Sequence, residues 1–203
     1  MAGNREFLNR RLHSLLGVVP IGIFLIVHLV VNHFATGGEE SFNNAVGFME
    51  SLPFLIFVEI IVIYLPLLFH AIYGLYIAFT AKNNTSRLGY FRNWMFLFQR
   101  ISGVIVLIFL AWHVYETRIQ AALGNASLDF SLMESVFSNP WMIAFYIIGL
   151  IATTFHFSNG LWSFCVSWGI TQSPRSQQIA SYVVLVVFVV LSVIGIRAIF
   201  AFV

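Results

Sequence analysis

The chain has 203 residues, 60% of them hydrophobic and only 9% charged, with a formal net charge of +2. So apolar a composition excludes a water-soluble domain and makes a lipid bilayer the expected solvent; no nucleic-acid partner is expected. The lone Cys165 excludes an internal disulfide and a thiolate metal cluster.

Crossing about 30 Å of hydrocarbon takes roughly 20 apolar residues of helix. Five stretches are long enough: 15–34, 55–79, 94–115, 141–167 and 179–203. Strands of a membrane barrel would alternate over segments of about ten residues, whereas these runs are apolar on all sides. The expectation is an all-α integral membrane bundle of five transmembrane helices, forming a single membrane domain over 1–203.

The first stretch is too long for a signal peptide and lacks a small-residue cleavage site, so it reads as a retained helix. A polar connection with Gly37 and Gly38 follows, and Pro53 introduces the second stretch. The third carries Gln99 and Arg100 near its start. Pro140 opens the fourth, where a missing amide hydrogen matters least. None of the connections is long enough to fold as a soluble domain with its own core.

Lys and Arg set the orientation. Arg5, Arg10, Arg11, Lys82, Arg87, Arg92, Arg100 and Arg175 fall at the N-terminus and in the second and fourth connections, against Arg118 and Arg197 on the other side. The N-terminus is therefore expected in the cytoplasm. The basic inner face suits anionic membrane lipid or an acidic partner.

The first two helices resemble the next two. Arg11, Ser14, Gly17 and His28 are answered in order by Arg100, Ser102, Gly103 and His113, and His70 and Gly74 by His156 and Gly160. His28 and His70 are 42 residues apart, His113 and His156 43. This predicts a parallel internal repeat with the fifth helix outside it.

A lone histidine within a span is more often a hydrogen-bonded core residue or part of a proton path, but four on four helices in two repeated pairs make a site. With helices one and three running outward, His28 and His113 fall in the outer half; His70 and His156 fall centrally or slightly inward, offset by one or two turns. Facing imidazoles suit a six-coordinate haem iron, so His28 with His113 and His70 with His156 are the expected iron ligands of an outer and an inner haem b, bound non-covalently. Such haems carry electrons and leave no position for substrate. Zinc or copper would want a third or fourth ligand.

Gly74 and Gly160, one turn beyond His70 and His156, would admit a macrocycle edge. Arg11, His13, Ser14, Arg100 and Ser102 cluster at the inner surface, where such donors suit haem propionates or a quinone carbonyl. Interfacial anchoring is the plain alternative for the arginines. Glu59 and Glu116 are expected as loop-end carboxylates in water, with proton relay to a quinone as the sharper reading. His33, at a span end, is not expected to bind iron.

Four segments carry a family resemblance: Arg11-Leu-His-Ser-Leu-Leu-Gly17, Gln99-Arg-Ile-Ser-Gly103, His70-Ala-Ile-Tyr-Gly74 and His156-Phe-Ser-Asn-Gly160. Over essentially the whole chain the sequence resembles the cytochrome b membrane subunit of succinate dehydrogenase, in the dihaem five-helix type of Gram-positive bacilli. The resemblance implies flavoprotein and iron–sulfur subunits as partners, with succinate oxidised on a partner chain. It also implies transfer of electrons from the inner to the outer haem, and menaquinone as acceptor. A fumarate reductase or another respiratory dihaem cytochrome b shares the architecture. A haem-free transporter or anchor is the reading from a different class.

Overall fold

The computed structural model describes residues 2–203, and among them there is no β-strand. Five helical segments are long and apolar enough to cross a membrane: Asn4–Gly37, Leu55–Thr80, Phe91–Ala122, Pro140–Ser167 and Pro174–Phe200. The chain is thus a multi-pass membrane protein. These segments overrun the apolar runs of the sequence because helices continue into polar residues beyond the hydrocarbon, where hydropathy no longer marks them.

The first span is built from α1 (Ala2–Val18) and α2 (Pro20–His33), which part at Val19 because Pro20 has no amide hydrogen to donate. A short amphipathic helix, α3 (Glu39–Glu50), follows. The second span runs through α4 (Leu55–Val58), a π-helical turn Glu59–Tyr64 and α5 (Leu65–Thr80). The third is α6 (Phe91–Val114), continued by a second π-helical turn, Tyr115–Ile119, and α7 (Gln120–Ala122). After α8 (Phe130–Phe137) come α9 (Pro140–Ser167) and α10 (Pro174–Phe200), the fourth and fifth spans.

Each late helix starts on an identifiable cap. Asn139 Oδ1 accepts from the Trp141 amide at 3.0 Å, with Pro140 at the first helical position. Ser173 and Ser176 cap α10 reciprocally. The core lies along α9, which packs between α6 and α10. Buried Thr154 meets Ser192 of α10 at 2.8 Å, so both hydroxyls are satisfied out of water. At Gly149 and Gly195 the missing Cβ admits the Phe109 ring and the Leu150 side chain, respectively. The second span is the opposite case, with no residue of its apolar stretch buried.

The connections α3 and α8 close one end of the bundle. Phe42, Phe130, Phe137 and Phe202 pack together there, and Asn43 Oδ1 accepts from the Phe130 amide at 2.8 Å. Odd span number puts the N-terminus at the other end, where Arg100 donates to Ala81 O at 2.9 Å and Arg92 donates to Ser181 while lying over the Trp162 ring.

Candidate functional site

Two layers of histidine lie inside the first four spans. His70 of α5 stands against His156 of α9, their ring centroids 6.2 Å apart and their planes at 90°. His28 of α2 stands against His113 of α6, at 5.8 Å and 75°. His156 is level with Gly103 on α6, and His113 lies ten residues further along that helix. At 1.5 Å per residue the layers are about 15 Å apart, nearly three turns rather than the one or two expected from the sequence.

Local packing explains why the rings point inward. A Cβ on Gly17 would collide with the His70 ring, reaching 2.8 Å from its Nδ1; one on Gly103 would lie 2.9 Å from His156 Cε1. Each glycine therefore vacates the place an imidazole occupies. One turn further, a Cβ on Gly74 would lie 3.3 Å from His13 Cε1, and one on Gly160 3.3 Å from Gln99 Nε2. Both glycines thus face side chains of a neighbouring helix. His70 Nδ1 lies 2.9 Å from His13 O, and His156 Nδ1 3.1 Å from Gln99 O. The contacts run in parallel: His13, Gly17, His70 and Gly74 are matched by Gln99, Gly103, His156 and Gly160, 86 residues later in every case (99 − 13, 103 − 17, 156 − 70, 160 − 74). The step from His28 to His113 is 85, so the first half carries one more residue between Gly17 and His28, the stretch in which Val19 separates α1 from α2.

These partners bear on the tautomers: His156 Nδ1 lies 3.3 Å from Gln99 Nε2, but that amide donates to His156 O at 3.0 Å, and the shorter ring contact is to the Gln99 carbonyl. A carbonyl only accepts, so Nδ1 of His70 and of His156 carries the proton and Nε2 keeps its lone pair. Ser102 Oγ, 3.2 Å from His156 Nδ1, adds to the same side. In the other layer Tyr146 donates to Glu116 Oε2 at 2.9 Å, which leaves its oxygen to accept from His113 Nδ1 at 3.3 Å. His28 differs: Asn32 Nδ2 donates to His28 O at 2.8 Å and lies 3.4 Å from Nε2, the longest contact of the set.

The remaining expected residues are dispersed. His13 rests on His70 with centroids 4.0 Å apart, and its buried Nδ1 has no partner. Arg11 lies over the rings of Phe7 and Trp168, and Arg100 over Phe96 with its other contacts to backbone carbonyls. Ser14, one residue beyond His13, is half-buried on α1. His33 reaches Ile194 O of the fifth span at 3.3 Å. The carboxylates depart from expectation: Glu59 pairs with Arg118 at 2.8 Å across the second and third spans, and Glu116 is taken by Tyr146. Both sit on the π-helical turns, Glu59 at the start of one and Glu116 in the first turn of the other. Tyr146 and Asn159 escape a reading of the sequence, where nothing separates them from other polar residues of a span; Asn159 donates to Gln99 Oε1 at 2.7 Å and helps hold it beside His156.

Chemically the two layers resemble each other and little else. Among the described residues no three His, Cys, Asp or Glu side chains converge as a metal cluster would need. A recess lined by Val30, His33, Phe34 and Ile194 shares no residue with either histidine pair.

Residues 80–195 match the family described as succinate dehydrogenase/fumarate reductase transmembrane subunit. Over all 203 residues, and over the full length of both proteins, the chain is 61% identical to the succinate dehydrogenase cytochrome b558 subunit of Bacillus subtilis (strain 168). The chain belongs to this family. A more distant member, the succinate dehydrogenase hydrophobic membrane anchor subunit of Thermoplasma acidophilum, is 30% identical over 93 residues, covering 45% of this chain and 74% of that protein. The family match begins at the end of α5 and so includes His113 and His156. The full-length relative extends the likeness over His28 and His70.

Proposed function

We propose that the chain is the membrane cytochrome of a succinate dehydrogenase and holds two b haems, one between His70 and His156 and one between His28 and His113. The observation that carries this is the spacing of both pairs. Imidazoles on opposite faces of one metal, at metal–nitrogen bonds of about 2 Å, have ring centroids roughly 6 Å apart. The pairs stand at 6.2 and 5.8 Å. Three of the four rings also hold their Nδ1 proton on a protein acceptor, the arrangement that orients a ligating histidine and frees Nε2 for the metal. The name of the B. subtilis relative, a cytochrome b558 subunit, points to the same cofactor.

A haem b held between each pair would supply one-electron transfer. The protein's share is to fix the imidazoles, keep water out and anchor the polar edge. His13, with a buried Nδ1 lacking a partner, is the donor best placed to take a propionate near His70, with Arg11 and Ser14 on the same turn and Arg100 and Ser102 across on α6. In this reading the shift of 86 residues reflects a parallel internal repeat within a single membrane domain.

The basic end, with Arg5, Arg10, Arg87 and Arg92, faces the cytoplasm and docks an iron–sulfur subunit and a flavoprotein, on which succinate is oxidised. With haem held there, the His70 and His156 pair would take electrons from the cytoplasmic end and the His28 and His113 pair would pass them toward menaquinone at the far end. Moving an electron outward across a membrane negative inside is downhill by about 2.3 kcal/mol per 100 mV, which assists reduction of a low-potential quinone.

A dithionite-reduced minus oxidised spectrum of the purified subunit, with haem counted per chain, tests the proposal. Two b haems are expected; their absence from protein purified with its cofactors intact returns the chain to the anchor or transporter reading. In vesicles, succinate-to-menaquinone turnover that ignores collapse of the membrane potential would remove the outward path.

A further inference from the structure

The two histidine layers differ in what their ligands lean on, and the difference has a direction. Tyr146 is 5% exposed, enclosed by Phe109, Phe137 and Phe145 in edge-on contact, so its hydroxyl has few places to turn. It donates to Glu116 at 2.9 Å, and His113 Nδ1 lies 3.3 Å from the same oxygen. Glu116 reaches it because Tyr115–Ile119 is a π-helical turn and because Thr117, two positions on from Tyr115, bonds back to His113 O at 2.6 Å and holds the turn on the ligand's own carbonyl. The first half of the chain has no counterpart. A shift of 85 or 86 from Tyr146 and Glu116 falls on Ile61 or Ile60 and on Val31 or Val30, all aliphatic.

We infer that Glu116, acting through Tyr146, is a positioning residue that lowers the reduction potential of the haem held by His113. The inference rests on the dihaem reading above. An acceptor as strong as a carboxylate polarises the Tyr146 O–H bond and makes its oxygen a better acceptor in turn. The His113 Nδ1–H is then drawn toward imidazolate, more electron density is offered at Nε2, and the ferric state gains over the ferrous. His70 leans on a backbone carbonyl, and His156 on a backbone carbonyl with Ser102 Oγ and Gln99 Nε2 beside it, so neither has a carboxylate behind its partner.

The test is a redox titration of the b-haem absorbance in the intact membrane complex, with the component belonging to His113 recognised as the one that His113→Ala removes. Tyr146→Phe and Glu116→Gln should each raise that component's potential by at least a threefold change in oxidised-to-reduced ratio at fixed poise, about 28 mV for a one-electron couple. The other component should stay in place, and the double variant should move no further than Tyr146→Phe alone. Glu116→Asp keeps the charge but withdraws it by a methylene, so it should behave as Gln does; it also serves if Tyr146→Phe yields no folded protein. A potential unmoved by Tyr146→Phe or by Glu116→Asp, or a Glu116→Gln shift that is undiminished in the Tyr146→Phe background, overturns the inference. Absence of haem from the unaltered protein instead overturns the dihaem reading, so the two failures are distinct.

Discussion

The two histidine layers are held by different parts of the peptide. His70 and His156 lean on the carbonyls of His13 and Gln99 and fill the places left by Gly17 and Gly103. His113 leans on a side chain, Tyr146 backed by Glu116, and the His28 ring has only Asn32 Nδ2 at 3.4 Å from its Nε2. A carbonyl survives any substitution at its residue, so the first layer is sensitive to added bulk and insensitive to lost hydrogen bonds. At His113 the reverse holds: its support, Tyr146 with Glu116, can be exchanged residue by residue. If the two layers hold haems as proposed, two otherwise similar centres could be set apart in this way.

The largest effects should come from the ligands themselves. His70→Ala and His113→Ala should each remove one of two haems per chain while leaving the other, read as halved haem content with a changed reduced spectrum. If either substitution removes both haems, or neither, the layers are not separate sites. Next come the glycines. Gly17→Ala places a methyl group inside the His70 ring position, and overpacking of this kind costs about 1–3 kcal/mol where neighbours can yield. His70 has little room to yield, because His13 presses on it at 4.0 Å and holds its Nδ1. The expected result is loss of the His70 haem with the His113 haem retained. Gly103→Ala, whose methyl would stand 2.9 Å from His156 Cε1, should lower occupancy less. Equal loss from both layers would mean that the glycines serve helix packing in general.

Much of this is legible in the sequence, and the boundary of legibility has a physical cause. Five spans follow from hydropathy because a bilayer imposes apolarity along the whole length of a helix. The partnership of His28 with His113 and of His70 with His156 is suggested by spacings of 42 and 43 residues, and those rings do lie against each other here. Their axial offset is underestimated because apolar runs understate helix length: 94–115 reads as a span, yet the helical segment is Phe91–Ala122. Glu59 and Glu116 read as loop-end carboxylates in water because the sequence does not show that helix continues through both positions, and a π-helical turn leaves no signature in residue type. Gly17 and Gly103 stand out as repeat markers, but their use as space for an imidazole belongs to the neighbouring helix and is invisible along the chain.

The smallest expected effects sharpen the contrast. Arg118→Met removes one partner of an ion pair whose side chains are 32% and 19% exposed, so the cost lies between the surface and buried cases, about 1–2 kcal/mol. It should appear as a lower Tm with both haems present, since neither Glu59 nor Arg118 touches a histidine ring. Asn32→Leu is gentler still. It deletes a side-chain bond to His28 O at 2.8 Å and the 3.4 Å contact to His28 Nε2, while the helix keeps its own backbone bonds and a leucine suits the surrounding lipid. A net loss of about 0.5–1.5 kcal/mol is typical of such a bond. Because the amide would compete with a metal for Nε2, removing it should leave haem content unchanged or improve it at limiting haem, in contrast to every glycine substitution above. Reduced haem content in Asn32→Leu would instead show that Asn32 orients the ring, and would make the His28 layer as dependent on a fixed scaffold as the His70 layer.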